Sequence, residues 1–186
     1  MVPGAYKMGN KDELVEFAKD YAAYFEGREH CYTPWDYIPK TYLMADPDDC
    51  QEIIGILSKQ TTDEIKYMGK ESRGVHRGKG ISLMTLDAIE TILEEYENGQ
   101  KCKQKRKDTY IIQKYIPSPL LIKGRKMDFR CFMVLASMDP LIVFYQDGIV
   151  RLASDEFDEH STDITAHLTN LSVSKENLAN QTEEEA

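Results

Sequence analysis

The stretch from Thr109 to Arg130, TYIIQKYIPSPLLIKGRKMDFR, constrains the fold more than any other in this chain. Tyr110, Ile111, Ile112, Tyr115 and Ile116 are the β-branched and aromatic types that suit a pleated, buried surface, so the stretch opens as a strand. Pro117 and Pro119 cannot donate to a ladder; the strand ends there and an extended connector follows. Gly124-Arg125-Lys126-Met127-Asp128-Phe129-Arg130 then leads into a second apolar run, Cys131 to Ala136. With a period of two, Lys126, Asp128 and Arg130 project from one face and Met127, Phe129 and Cys131 from the other. Two cations flanking a carboxylate suit a polyphosphate and its metal. A solvated strand face with a modest ion pair is the competing reading of the same alternation.

A chain of 186 residues holds one ordinary domain with a sizeable core. No apolar run approaches the length of a membrane span, and Met1-Val2-Pro3-Gly4 opens no signal peptide, so no membrane partner is expected. Cys31, Cys50, Cys102 and Cys131 are scattered without paired spacing, which predicts neither a disulfide framework nor a zinc site and fits a reducing, intracellular setting. The net charge of −9 hides a division. From Lys66 to Arg130 there are 15 basic against 8 acidic residues, a local +7, which leaves −16 for the remainder. A basic middle in an acidic chain argues against nucleic acid, which favours wholly basic domains. It fits an anionic ligand such as a nucleotide or an acidic peptide.

Along the chain, Asn10 with Glu13 three residues on forms a capping-box pattern, and Leu14, Phe17, Ala18, Tyr21 and Tyr24 recur at helical spacing. A helix over Lys11 to Phe25 is predicted. Asp46 caps the next helix with Pro47 at its first position, and Ile53, Ile54 and Leu57 give it an apolar stripe. Ile65 to Met68 reads as a strand, followed by the basic, glycine-rich loop GKESRGVHRGKG and a second strand over Ile81 to Met84. Such a loop offers amides and cations to phosphate, or is simply a basic hairpin. It is not a Walker A loop, because Arg73 replaces the first glycine and Gly80 the final hydroxyl residue. Thr85 caps a helix reaching Tyr96, and Lys101 to Lys107 forms a mobile basic linker open to an acidic partner. Strands over Phe132 to Ala136 and Leu141 to Tyr145 follow, then a hairpin turn at Asp147-Gly148 into Ile149 to Leu152. His167, Thr169 and Asn170 lie in a polar stretch, where loop capping is the plainer reading.

Taken in order, IKYMG…RGKGI, YIIQKYI.SPLLI.GRKMDFRCF, YQDGIVRLAS and AHLTNLSVSK resemble the tubulin–tyrosine ligase-like family. The resemblance implies an α+β, ATP-grasp-like fold with ATP between two small subdomains. It further implies an ATP-dependent ligase that joins an amino acid to tubulin through an acyl phosphate. Fixed cations and Mg2+ are then expected, because the acyl phosphate and the leaving ADP concentrate negative charge. By motif position, Lys66 resembles the strand lysine on the α/β phosphates, and Lys11 an upstream phosphate contact. Gln113, Lys114 and Ile116 fall at the adenine hinge. Lys126, Asp128 and Arg130 match K-x-D-x-R, toward phosphates and substrate, and Arg151 matches the arginine after the hairpin. His167, Thr169 and Asn170 match H-L-T-N, near the ribose and phosphate end.

The RKMDFRCF and HLTN contexts favour the glutamylase branch, with glutamate as the amino acid and the acidic tails of tubulin or microtubules as partner. That implies a cytoplasmic, cytoskeletal setting on microtubules, the cilium and basal body among them. There are three departures from the pattern. Tyr67 stands where the family carries proline, and the loop from Lys66 to Gly80 exceeds the usual length by about five residues on motif comparison. The distal E-V-N-like segment that binds magnesium does not occur, so the metal ligands are unknown. The expected architecture is therefore an incomplete ATP-grasp-like domain, an antiparallel sheet with flanking helices. An N-terminal helical segment over 1–35 precedes the partial domain over 36–175, and a disordered acidic tail covers 176–186. A non-catalytic nucleotide- or microtubule-binding remnant of the same family is the alternative.

Overall fold

The computed structural model describes residues 9–28, 33–72, 80–103 and 110–170. The chain divides after Pro117 into two compact units. The first unit is built on a four-stranded antiparallel sheet of β1 (Thr41–Leu43), β2 (Tyr67–Glu71), β3 (Ile81–Leu83) and β4 (Tyr110–Lys114), in the order β1-β4-β2-β3. Successive residues of β4 serve opposite faces, as the pleat requires. Ile112 joins Ile53, Leu57, Met84 and Ile89 in a core with helices α2 (Pro47–Leu57) and α3 (Leu86–Glu95). Ile111 packs with Leu43, Val15 and Trp35 against α1 (Lys11–Phe25). Each large apolar side chain buried in this way contributes about 1.5–3 kcal/mol.

The helix ends follow from their caps. Asp46 accepts hydrogen bonds from the N–H groups of Asp48 and Asp49, and Thr85 from that of Ala88. Asn10 occupies the predicted cap position of α1, but its side chain accepts no such bond. The helix spans the predicted residues but turns only part of the predicted stripe inward: Ala18 is buried beside Val15, while Phe17, Tyr21 and Tyr24 are exposed. At Gly69 the Tyr110 phenol crosses the strand so closely that a Cβ would lie 1.7 Å from its oxygen, which fixes glycine there.

Three expectations are corrected in this unit. Strand β2 begins at Tyr67 and runs to Glu71, so Lys66 precedes the strand and Lys70 lies within it. Cys50 and Cys102 are joined by a disulfide across a separation of 52 residues, both buried in the core. The spacing of the cysteines carries no sign of it, because α2 and the 3-10 segment Glu97–Lys103 bring their Cα atoms within 5.5 Å only on folding. Lys101–Lys103 belong to that 3-10 segment instead of a linker. The rest of the basic run and residues 73–79 of the glycine-rich loop lie outside the described residues, as does the tail over 176–186.

The second unit holds a three-stranded antiparallel sheet of β5 (Leu121–Ile122), β6 (Arg125–Met138) and β7 (Leu141–Leu152) and a short helix, α4 (Ile164–His167), capped by Asp163. The expected turn at Asp147-Gly148 is absent. Arg130 pairs with Ile149 and Phe132 with Gln146, so Asp147 and Gly148 together oppose Cys131 as a bulge within one long strand. A Cβ at Gly148 would lie 1.7 Å from the Arg130 carbonyl oxygen, so only glycine permits this approach. The reversal is made at Asp139-Pro140, between the two strands expected on either side of it. Beyond the bulge the ribbon is apolar and exposed on both faces. Met133 and Tyr145 share one face, Val134 and Phe144 the other. Contiguous exposed apolar surface of this kind is characteristic of interaction surfaces.

Candidate functional site

In the second unit the strand alternation carries Lys126, Asp128 and Arg130 onto one face of β6, and register places Arg151 of β7 opposite Asp128. The pair is bidentate. Arg151 Nε donates to Asp128 Oδ1 at 2.7 Å, and Arg151 Nη2 donates to Oδ2. Thr169 Oγ1 donates to the same Oδ2 at 2.8 Å, tying the segment after α4 to the ribbon. Burial pushes the Asp128 carboxyl up. The hydrogen bonds from Arg151 and Thr169, with the nearby Arg130 charge, outweigh it and hold the group below the ordinary carboxylate range. Asp128 in turn raises Arg151 further. Arg130 makes no ion pair among the described residues and stacks over Phe132 at 5.9 Å.

A carboxyl whose folded pKa is depressed contributes stability that is present above its unfolded value, about 3.9, and is lost as pH falls through the folded one. The denaturation midpoints of wild type and Asp128→Asn therefore converge as pH falls below about 4 and on through the lowered folded pKa of Asp128, beneath which both side chains are neutral. A gap that stays constant over that range would show that the carboxylate charge is not what holds the cluster.

His167 is buried, with its ring edge-on to Phe157 at 5.6 Å, and its Nε2 donates to the Ser161 carbonyl at 2.7 Å. Burial lowers its pKa, and the Lys126 charge adds to the effect; the Ser161 bond opposes it without reversing it. The imidazole is thus kept neutral and shapes the corner that presents Thr169 and the half-buried Asn170. Among the described residues no three acidic, His or Cys side chains gather as a metal-ligand set. With the Asp128 carboxylate already occupied on both oxygens, these residues do not fit Mg2+ by themselves.

In the first unit Lys70 Nζ donates to Gln113 Oε1 at 2.5 Å, and Gln113 Nε2 donates to Thr41 Oγ1 at 2.8 Å. Lys11 Nζ donates to the Glu71 carbonyl at 2.7 Å. Lys11, Lys70, Gln113 and Trp35 line one cavity of about 150 Å³, walled otherwise by Ile38 and by apolar side chains of α1 and β4. Burial lowers the Lys70 pKa and the Lys11 charge lowers it further; no carboxylate pairs with either lysine among the described residues. Two cations held together without a described counter-ion, beside an amide and an aromatic ring, offer donors that suit the acceptor oxygens of a nucleotide. Lys66 sits apart from this group, half exposed and ion-paired with Glu64 at 3.2 Å. Lys114 and Ile116 lie on the exposed exit of β4. The Lys114 N–H is taken by the Lys40 carbonyl, whereas that of Ile116 makes no backbone hydrogen bond among the described residues.

Lys70, which motif position does not single out, is the lysine that meets Gln113. The signal was present: two lysines lie four apart, and counting the loop from Lys70 removes four of its roughly five surplus residues.

Human tubulin polyglutamylase TTLL7 is 30% identical over 181 residues, which cover 94% of this chain and 18% of that protein. The mouse protein polyglycylase TTLL10 is 28% identical over 147 residues, 75% of this chain and 20% of the relative. The human protein named inactive polyglycylase TTLL10 is 32% identical over 147 residues, 75% and 21%. The chain spans about a fifth of the length of these relatives. The sequence profile of the tubulin-tyrosine ligase family matches residues 1–186, end to end, and the chain belongs to that family.

Proposed function

We propose that this chain is the nucleotide-handling part of an ATP-dependent ligase that adds an amino acid, glutamate, to tubulin tails in the cytoplasm. The observation that carries the reading is the pair of cations, Lys11 with Lys70, that lines one cavity with Gln113 and Trp35 in a chain of this family. ATP, when bound, supplies the phosphoryl group that activates an acceptor carboxylate for amide formation. Lys70 and Lys11 would hold phosphate oxygens, and Gln113, with the Ile116 N–H and Lys114, would read the base edge. Arg130, Lys126 and Arg151 stabilise negative charge that grows on the transferred group. His167 stays neutral and orients Thr169 and Asn170. Glutamate is preferred over tyrosine because the RKMDFRCF and HLTN contexts favour the glutamylase branch, and over glycine because two of the strand-face cations suit a second carboxylate.

The test is incorporation of labelled glutamate into microtubules with Mg-ATP, run beside labelled glycine. Glutamate-specific labelling that Arg130→Ala abolishes is the expected result; glycine labelling would reassign the substrate. A second reading, a non-catalytic nucleotide- or microtubule-binding member, draws support from the lack of a metal-ligand set among the described residues. It predicts nucleotide binding with no labelling of either kind.

A further inference from the structure

Asp128 stands as the acid among Lys126, Arg130 and Arg151, which is where a metal ligand would be sought. Its hydrogen bonding points elsewhere. An ionised carboxylate has about four acceptor positions. Here Oδ1 takes Arg151 Nε, while Oδ2 takes both Arg151 Nη2 and Thr169 Oγ1. A divalent cation at Oδ2 would have to expel one of these donors, and at either oxygen it would settle against a guanidinium, charge against charge. Three separate pieces of chain meet at this carboxylate: β6 through Asp128, β7 through Arg151, and the segment after α4 through Thr169.

A lone arginine on a strand face samples many rotamers, and ordering it is costly. The fork-on-fork pair fixes both the plane and the reach of the guanidinium while leaving its remaining N–H groups to a ligand. We propose that Asp128 is a positioning residue. It presents Arg151 and the Thr169 corner to an anionic ligand and does not itself ligate metal or nucleotide. The proposal rests on the reading of Arg151 as an anion-binding group, and its test is chosen so that the two can fail separately.

The measurement uses the whole chain labelled with 15N, with the Arg151 Nε–H resonance assigned from Arg151→Lys. Wild type is expected to show a slowly exchanging Arg151 Nε–H that is lost in Asp128→Asn and unmoved by millimolar Mg2+ without nucleotide. Affinity for Mg-ATP is then measured as a cycle. Asp128→Asn costs about tenfold in the wild-type background and less than about twofold when Arg151 is already alanine, because its effect passes through Arg151. Thr169→Val, which leaves the Arg151 pair intact, gives a smaller loss that vanishes in the same background. It also keeps the test valid if circular dichroism shows Asp128→Asn to be unfolded. A Mg2+-dependent shift of the Arg151 signal, or an equal loss in both backgrounds, would overturn the positioning role and make Asp128 a ligand. A wild type that binds no nucleotide while its Arg151 N–H stays locked would count against the nucleotide reading and leave the clamp supported.

Discussion

Lys70→Ala weakens nucleotide binding at least tenfold, while Lys66→Ala leaves it within about twofold. The expectation follows from where the two lysines sit. Lys70 is enclosed within β2, hydrogen-bonded to Gln113 beside Lys11, and has no carboxylate partner among the described residues. Lys66 precedes the strand and is already neutralised by Glu64 in open solvent. An exposed pair of that kind is worth little either way. A charge-assisted hydrogen bond is worth about 1.5–3 kcal/mol, which corresponds to about tenfold or more in affinity. Trp35, the single tryptophan, lines the same cavity, so its fluorescence reports the titration without a label. Equal losses at the two lysines would return the phosphate role to Lys66. No loss at either would remove the cavity from the nucleotide site.

Breaking the Cys50–Cys102 bridge destabilises the first unit by about 4 kcal/mol, the loop-entropy value for a closure of this length. The bridge spans 52 residues that contain β2, β3 and α3, and both cysteines lie in the core beside Ile54 and Tyr96. The double substitution Cys50→Ala with Cys102→Ala adds a loss of packing, since both sulfur atoms are removed from a filled interior. Thermal melts with and without reductant read the first effect, and the double variant reads the sum. If reductant leaves the melt unchanged while alkylation shows both thiols free, the bridge adds nothing to stability. Should the melt fall as expected, the glutamine and lysine cluster on the adjoining strands ought to lose nucleotide affinity in parallel.

Much of this protein is legible from local chemistry alone. The span of α1, the Asp46 and Thr85 caps, and the alternation that sets Lys126, Asp128 and Arg130 on one face all depend on neighbours within a few residues. The ordered motifs identify the family, and the profile match over the whole chain agrees. Periodicity alone cannot choose which face of α1 turns inward, because Phe17, Tyr21 and Tyr24 fit a helix stripe as well as Val15 and Ala18 do. Packing makes the choice, since Val15 meets Ile111 and Leu43 in the core.

The failures share one cause. Asp147-Gly148 is a strong local turn signal, yet the long pairing of β6 with β7 absorbs it as a bulge opposite Cys131. A ladder on both sides outweighs one turn preference. Cys50 and Cys102 carry no pairing signal, because sequence separation says nothing about two helical segments packed on one core. Lys66 and Lys70 are equivalent as letters, and only the register of β2 against β4, Lys70 opposite Ile111 and Met68 opposite Gln113, brings one of them to Gln113. The sequence by itself determined which chemical groups the protein carries and the family it belongs to. Tertiary structure decided which groups meet, since the Asp128–Arg151–Thr169 clamp joins residues up to 41 apart whose contact depends on strand register and chain reversal, not on spacing.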